Sequence, residues 1–113
     1  MSPGAGNGSA AQIERRWARR YPFDAAVEIE WGSSTILGRV RDISSSGMFL
    51  TTSEPLWIGA SFAAKVHTDP PLAFDCTVRR AEPGRGFGVQ ISPQQEDHQA
   101  QLQVLLARLE SKR

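Results

Sequence analysis

The sequence contains a single cysteine, Cys76, and only two histidines, His67 and His98. One cysteine excludes an internal disulfide and a multi-cysteine metal site, and no Cys/His/Asp spacing fits a metal centre. Cys76 falls on the apolar phase of a strand pattern, which makes it a small buried hydrophobe. The histidines fall on polar faces, His67 on a strand and His98 early in a helix, where neither has a catalytic or metal role. No P-loop and no nucleophile elbow is present. Gly84-Arg85-Gly86-Phe87-Gly88 is glycine-rich, but a strand follows it, and a phosphate cradle needs a helix N-terminus there. These absences argue against an enzyme. No apolar run approaches the ~20 residues of a membrane span. Met1 to Ala11 lacks the basic start and apolar centre of a secretion signal, so the cytoplasm is the expected compartment. Lysine is scarce too, with two against eleven arginines.

Arginine offers a planar fork of donors that fits phosphates and base edges and stacks on rings, which lysine does not. Four of the eleven (Arg15, Arg16, Arg19 and Arg20) lie within six consecutive positions. Net charge is nonetheless only +1, so the chain as a whole is not a polyanion binder. A length of 113 residues with 40% apolar content suits one domain with a modest core.

Residues 1–12 show no periodicity and read as a disordered tail, leaving a domain over 13–113. From Asp24 the hydrophobic period is two. Ala25, Val27, Ile29 and Trp31 alternate with polar or small residues. Gly32-Ser33-Ser34 then turns the chain, and Thr35 to Asp42 makes a second strand. Ser44 to Gly47 is a turn before a third strand at Met48. Phe62, Ala64 and Val66 mark a fourth strand. Leu72, Phe74, Cys76 and Val78 mark a fifth, with Asp75, Thr77 and Arg79 opposite. Phe87, Val89 and Ile91 mark a sixth. A helix follows from about 93, with Ser92 as N-cap, Pro93 in the first helical position and Gln95 at capping-box spacing. It carries Leu102, Leu105, Leu106 and Leu109 on one stripe. Short strands with turns between them suggest a closed barrel or a sandwich.

Two segments carry chemistry. Glu14-Arg15-Arg16-Trp17-Ala18-Arg19-Arg20 precedes the first strand, and alone it is a solvated basic arm. Asp42-Ile43-Ser44-Ser45-Ser46-Gly47 joins two strands, and alone it is a plain turn in which Asp and Ser bond to nearby amides and Gly takes a positive φ. Together they resemble the PilZ family of cyclic di-GMP receptors, through an Arg-x-x-x-Arg pair followed by Asp-x-Ser-x-x-Gly. The strand-six sequence Gly86-Phe87-Gly88-Val89-Gln90-Ile91 and the final helix extend the resemblance.

The resemblance implies an all-β fold, a small six-stranded antiparallel β-barrel with one C-terminal α-helix and a flexible N-terminal arm. It also implies a bacterial source, with outputs such as motility or exopolysaccharide. Arg15/Arg19 and Arg16/Arg20 both fit the arginine spacing. Arg16/Arg20 is preferred because Arg20 stands directly before Tyr21-Pro22-Phe23, which leaves Arg15 as the preceding residue. The expected ligand-binding residues are Arg15, Arg16, Arg20, Asp42, Ser44 and Gly47, with no catalytic residue, metal or cofactor beyond the ligand itself. Arginines can pair with phosphate, fork onto guanine O6 and N7, or stack on purines. Asp42 can accept from guanine N1–H and the exocyclic amine, which adenine does not offer together. Ser44 can donate to the ligand, and Gly47 admits close approach. The expected partners are cyclic di-GMP, at two molecules per chain, and an effector protein, with no membrane and no nucleic acid. The rival expectation is a ligand-free PilZ-like interaction module.

Overall fold

The structure, a computed structural model, describes residues 19–112. The expected tail over 1–12, Arg15 and Arg16 lie outside the described residues. Six strands follow in order: β1 (Tyr21–Trp31), β2 (Ser34–Ile43), β3 (Gly47–Thr52), β4 (Ser61–Val66), β5 (Leu72–Glu82) and β6 (Gly86–Pro93). One helix closes the described chain, α1 (Glu96–Ser111).

The strands pair antiparallel in the order β1-β2-β3-β6-β5-β4 and close into a barrel. Closure comes from β1 against β4, where Val27 faces Val66 and Ile29 faces Ala64. A closed sheet leaves no unpaired edge, which settles the choice between barrel and sandwich. The period-two residues turn inward as expected. Val27, Ile29, Val40, Val66, Phe74 and Val78 are fully buried, each contributing roughly 1.5–3 kcal/mol by leaving water. Cys76 is buried among them, and its burial pushes the thiol up to about 12.

The helix begins at Glu96, later than the capping signals suggest. Ser92 and Pro93 are instead the last residues of β6, opposite Asp75 and Phe74 of the long β5. Ladder pairing overrides the local capping signature, and the N-cap is Gln95, whose side chain makes no cap hydrogen bond. Glu96 and Asp97 in the first turn and Arg108 in the last complement the helix dipole. The leucine stripe docks on the barrel, with Leu102 and Leu105 buried and Leu106 and Leu109 partly so.

Three bulges interrupt the wall: between Pro22 and Ala25 on β1, between Val40 and Asp42 on β2, and between Val78 and Arg80 on β5. Each releases the strand from strict alternation. On β2, Arg41 and Asp42 are consequently both accessible while Val40 and Ile43 on either side are buried. Away from the β1 start, the far end of the barrel carries Trp31, with Trp57 and Phe62 packed edge-on against it.

Candidate ligand-binding site

Asp42 owes its position to the β2 bulge, since uninterrupted alternation after inward Val40 would turn residue 42 inward as well. Arg20 lies immediately before β1, whose first residues pair with the end of β2, Tyr21 opposite Ile43 and Pro22 opposite Asp42. The Arg20 guanidinium therefore meets the Asp42 carboxylate and donates a hydrogen bond to it through Nη1. Both side chains keep substantial exposure, 42% and 33%. A cation and an anion thus share one open rim, where an anionic group and a hydrogen-bond donor edge could be met side by side.

Next to them is the turn from β2 to β3. Ser44 is buried at 2% exposure, the one buried polar residue among the described residues. Its hydroxyl accepts hydrogen bonds from the Ser46 and Gly47 amides at 3.2 and 3.1 Å and donates to the Gly47 carbonyl at 3.4 Å. The Ser44 amide donates to the same carbonyl at 2.8 Å. The hydroxyl that the sequence offered to a ligand is thus committed to shaping the turn. Gly47 is required for a different reason than the positive φ expected of it, which it does not adopt. A Cβ there would stand 2.8 Å from the Val89 carbonyl oxygen of β6 and 3.4 Å from Arg20 Nη2. The bare backbone lets β3 close on β6 and keeps room for the arginine.

Arg19, the neighbour of Arg20, turns elsewhere. Its Nη1 donates to both carboxylate oxygens of Glu110 on α1, at 3.2 and 3.3 Å. The Tyr21 hydroxyl also donates to Glu110, and this hydrogen bond raises the tyrosine's pKa above its ordinary value. The structure thus places Arg20 on Asp42 and Arg19 on the helix, which is one half of each arginine pair that the spacing allows. The other half of each pair lies outside the described residues.

A pocket of about 380 Å³ opens beside Gly47 and Arg20, walled on the far side by Arg79, Arg80, Gly88 and Gln90. The larger pocket, about 890 Å³ between α1 and the start of β1, reaches Pro22, the cross-strand partner of Asp42, but Asp42 itself lines neither pocket and the Ser44–Gly47 turn does not line the larger. We take the smaller as the site because Arg20 and Gly47 both line it.

The sequence profile of the PilZ domain matches residues 14–108. The chain belongs to the PilZ domain family. No curated protein matches it in sequence. Solved structures share the fold, among them these three. The Bacillus subtilis inhibitor of motility MotI (DgrA) superposes with a TM-score of 0.67 at 22% identity, covering 88% of this chain and 53% of that one. This chain thus spans about half the length of the Bacillus protein. The PilZ domain of Escherichia coli YcgR, in a structure with c-di-GMP, gives 0.67 at 20% identity, covering 87% and 93%. The PilZ domain of CeSA from a cellulose-synthesizing bacterium gives 0.59 at 23% identity, covering 81% and 98%. At these identities the likeness is one of fold.

Among the described residues of this PilZ barrel, no three His, Cys, Asp or Glu side chains gather as metal ligands, and no helix is long and apolar enough to cross a membrane. His67 is hydrogen-bonded to Glu28 at 2.6 Å on the surface, and His98 sits half-buried on α1. The sequence pattern puts Arg79 on the outer face of β5 and Gly88 and Gln90 in β6, but marks none of these, nor Arg80, as a site residue. The available signal was a broken alternation: Val78 is followed by two arginines where a strict strand allows one outward residue.

Proposed function

We propose that this PilZ domain is a cyclic di-GMP receptor that acts as an adaptor, converting binding of the second messenger into a change in protein interaction. The observation that carries the proposal is the meeting of Arg20 and Asp42 beside the Ser44–Gly47 turn. These residues belong to separate sequence motifs, and the fold brings them onto one rim. Arg20, with Arg16 and Arg15 from the preceding segment, serves phosphates and purine faces, and Asp42 reads the guanine N1–H and amine. Ser44 and Gly47 set the shape of the turn that presents Asp42. The YcgR domain, whose structure includes c-di-GMP, supports the choice of ligand.

Two stacked ligands per chain, a cytoplasmic location and a bacterial effector protein complete the reading. The domain supplies binding, with the output left to its partner. A ligand-free interaction module is the second reading, favoured by the fact that Arg20 and Asp42 already satisfy one another. Calorimetric titration with cyclic di-GMP, with cyclic di-AMP in parallel, separates the two. Saturable heat with the guanine ligand alone supports the receptor. Absence of heat with both leaves the interaction module.

A further inference from the structure

Two of the barrel's bulges flank the candidate site, and the motifs account for only one of them. The β2 bulge presents Asp42. The β5 bulge, between Val78 and Arg80, does the same for an arginine doublet. Val78 is fully buried, and Arg79 and Arg80 are both exposed. A bulge adds one residue to a strand and re-aims the side chains that follow, a device common beside binding sites. The strand order β2-β3-β6-β5 puts the two bulges at opposite ends of one four-strand face. With neighbouring strands about 4.8 Å apart, that face is about 14 Å wide.

Arg80 is held in place from three sides. Its Nε forms an ion pair with the Glu82 carboxylate at 2.8 Å. Its guanidinium carbon lies 5.9 Å from the centre of the Phe49 ring. The same group lies across Gly88, where a Cβ would be 3.4 Å from the guanidinium carbon and from Nη2. Phe49 and Gly88 are cross-strand partners of β3 and β6, so the arginine rests on a shelf that exists because one of the pair has no side chain. Its neighbour Arg79 donates through Nε and Nη2 to Gln90 Oε1 at 2.9 and 2.6 Å, and Gln90 pairs with Gly47. Arg80 keeps 55% of its side chain exposed and borders the pocket that Arg20 and Gly47 line. An arginine braced in this way loses little freedom on binding and presents a planar fork in one orientation.

We propose that Arg80 is a ligand-binding residue that forks onto the O6 and N7 acceptors of a guanine, from the side of the site opposite Asp42. This rests on the cyclic di-GMP reading. It gives the site two fixed guanine readers on the barrel wall, Asp42 for donors and Arg80 for acceptors, and leaves the phosphates to the arginines before β1.

The test is calorimetric titration of cyclic di-GMP into the unmodified chain, Arg80→Ala, Arg80→Lys and Arg85→Ala, each checked for folding by thermal melting. Arg85 is a control, since it is more exposed and pairs with the same Glu82 at 3.5 Å. The expected result is a loss of roughly 10- to 150-fold in Arg80→Ala. Arg80→Lys should share most of that loss because lysine has charge but no fork, and Arg85→Ala should bind normally. Normal affinity in Arg80→Ala, beside a binding parent, overturns this inference alone. Full affinity in Arg80→Lys overturns the guanine contact by showing that charge suffices. A parent that binds nothing overturns the receptor reading and this inference with it.

Discussion

Arg20 hydrogen-bonds to Asp42 across the junction of β1 and β2, twenty-two positions apart in sequence. Partly exposed pairs of this kind stabilise a protein by only about 0–1 kcal/mol. Separating them to admit a ligand is therefore cheap, while a charge-assisted hydrogen bond made to the ligand is worth about 1.5–3 kcal/mol. Under the receptor reading, the pair is a resting arrangement that a dinucleotide would displace.

It follows that Arg20→Ala and Asp42→Ala should each weaken cyclic di-GMP binding by roughly 10- to 150-fold and shift unfolding free energy by less than about 1 kcal/mol. Asp42→Ala should also narrow the gap between cyclic di-GMP and cyclic di-AMP, because adenine does not offer together the N1–H and exocyclic amine that the carboxylate would read. Calorimetry with both ligands, and urea unfolding of each variant, check this. Full affinity in both variants would refute the site.

Much of this arrangement was legible before the fold was known. Val27, Ile29, Phe74 and Val78 alternate so regularly that barrel strands follow from them, and Asp42, Ser44 and Gly47 mark the turn by type and spacing. What escaped were effects of pairing. Ser92-Pro93-Gln94-Gln95 carries a local capping signature, yet the register of β5 holds Ser92 and Pro93 in the sheet. Gly47 suggests a left-handed turn, but its necessity comes from the Val89 carbonyl on another strand. For Arg80 the sequence offers only the doublet after Val78, and whether a bulge turns both arginines outward depends on how β5 matches β6.

Ser44 gives a prediction that separates a turn-building role from a ligand contact. Its buried hydroxyl satisfies two backbone amides, and leaving such groups unsatisfied costs about 1–3 kcal/mol. Ser44→Ala should lower unfolding stability by that amount in urea titration. If the hydroxyl only builds the turn, Ser44→Ala should still bind at the parent's stoichiometry, with an affinity loss no larger in free energy than its loss of stability. Unchanged stability with an affinity loss would place the hydroxyl on the ligand instead.

Cys76 supplies a pH-dependent check on the core. Burial pushes its thiol up to about 12, with the Asp75 charge adding to the effect, against about 8.5 in an unfolded chain. The folded state thus holds the proton more tightly. The stability this contributes is fully present below about pH 8.5 and is lost as pH rises toward 12. A thiol reagent at pH 8 should label Cys76 only at the rate of unfolding. The decline of stability above pH 8.5 should be shallower in Cys76→Val, which keeps an apolar side chain of similar size. Rapid labelling of the folded protein would show that the strand opens locally.

Under the receptor reading, stoichiometry turns on Arg15. Two stacked cyclic dinucleotides bring four phosphate charges into a small volume, and their repulsion must be offset. Arg16 and Arg20 supply two cations. Arg19 is held by Glu110 at 3.2 Å, so it is not the natural third. Under the two-ligand reading, Arg15 would add the missing fork and a stacking face, while Arg80 would serve a base from the far wall. The expected ratio is two ligands per chain, falling toward one in Arg15→Ala with the remaining affinity largely kept. The rival register makes the opposite forecast. If Arg15 and Arg19 were the motif pair, Glu14 would precede it, its negative charge would disfavour a second ligand, and Arg19 would have to leave Glu110. The parent chain would then bind one ligand, Arg15→Ala would abolish binding, and Glu110→Ala would strengthen it by freeing Arg19. Calorimetric ratios for the parent, Arg15→Ala and Glu110→Ala therefore decide the register and the stoichiometry together.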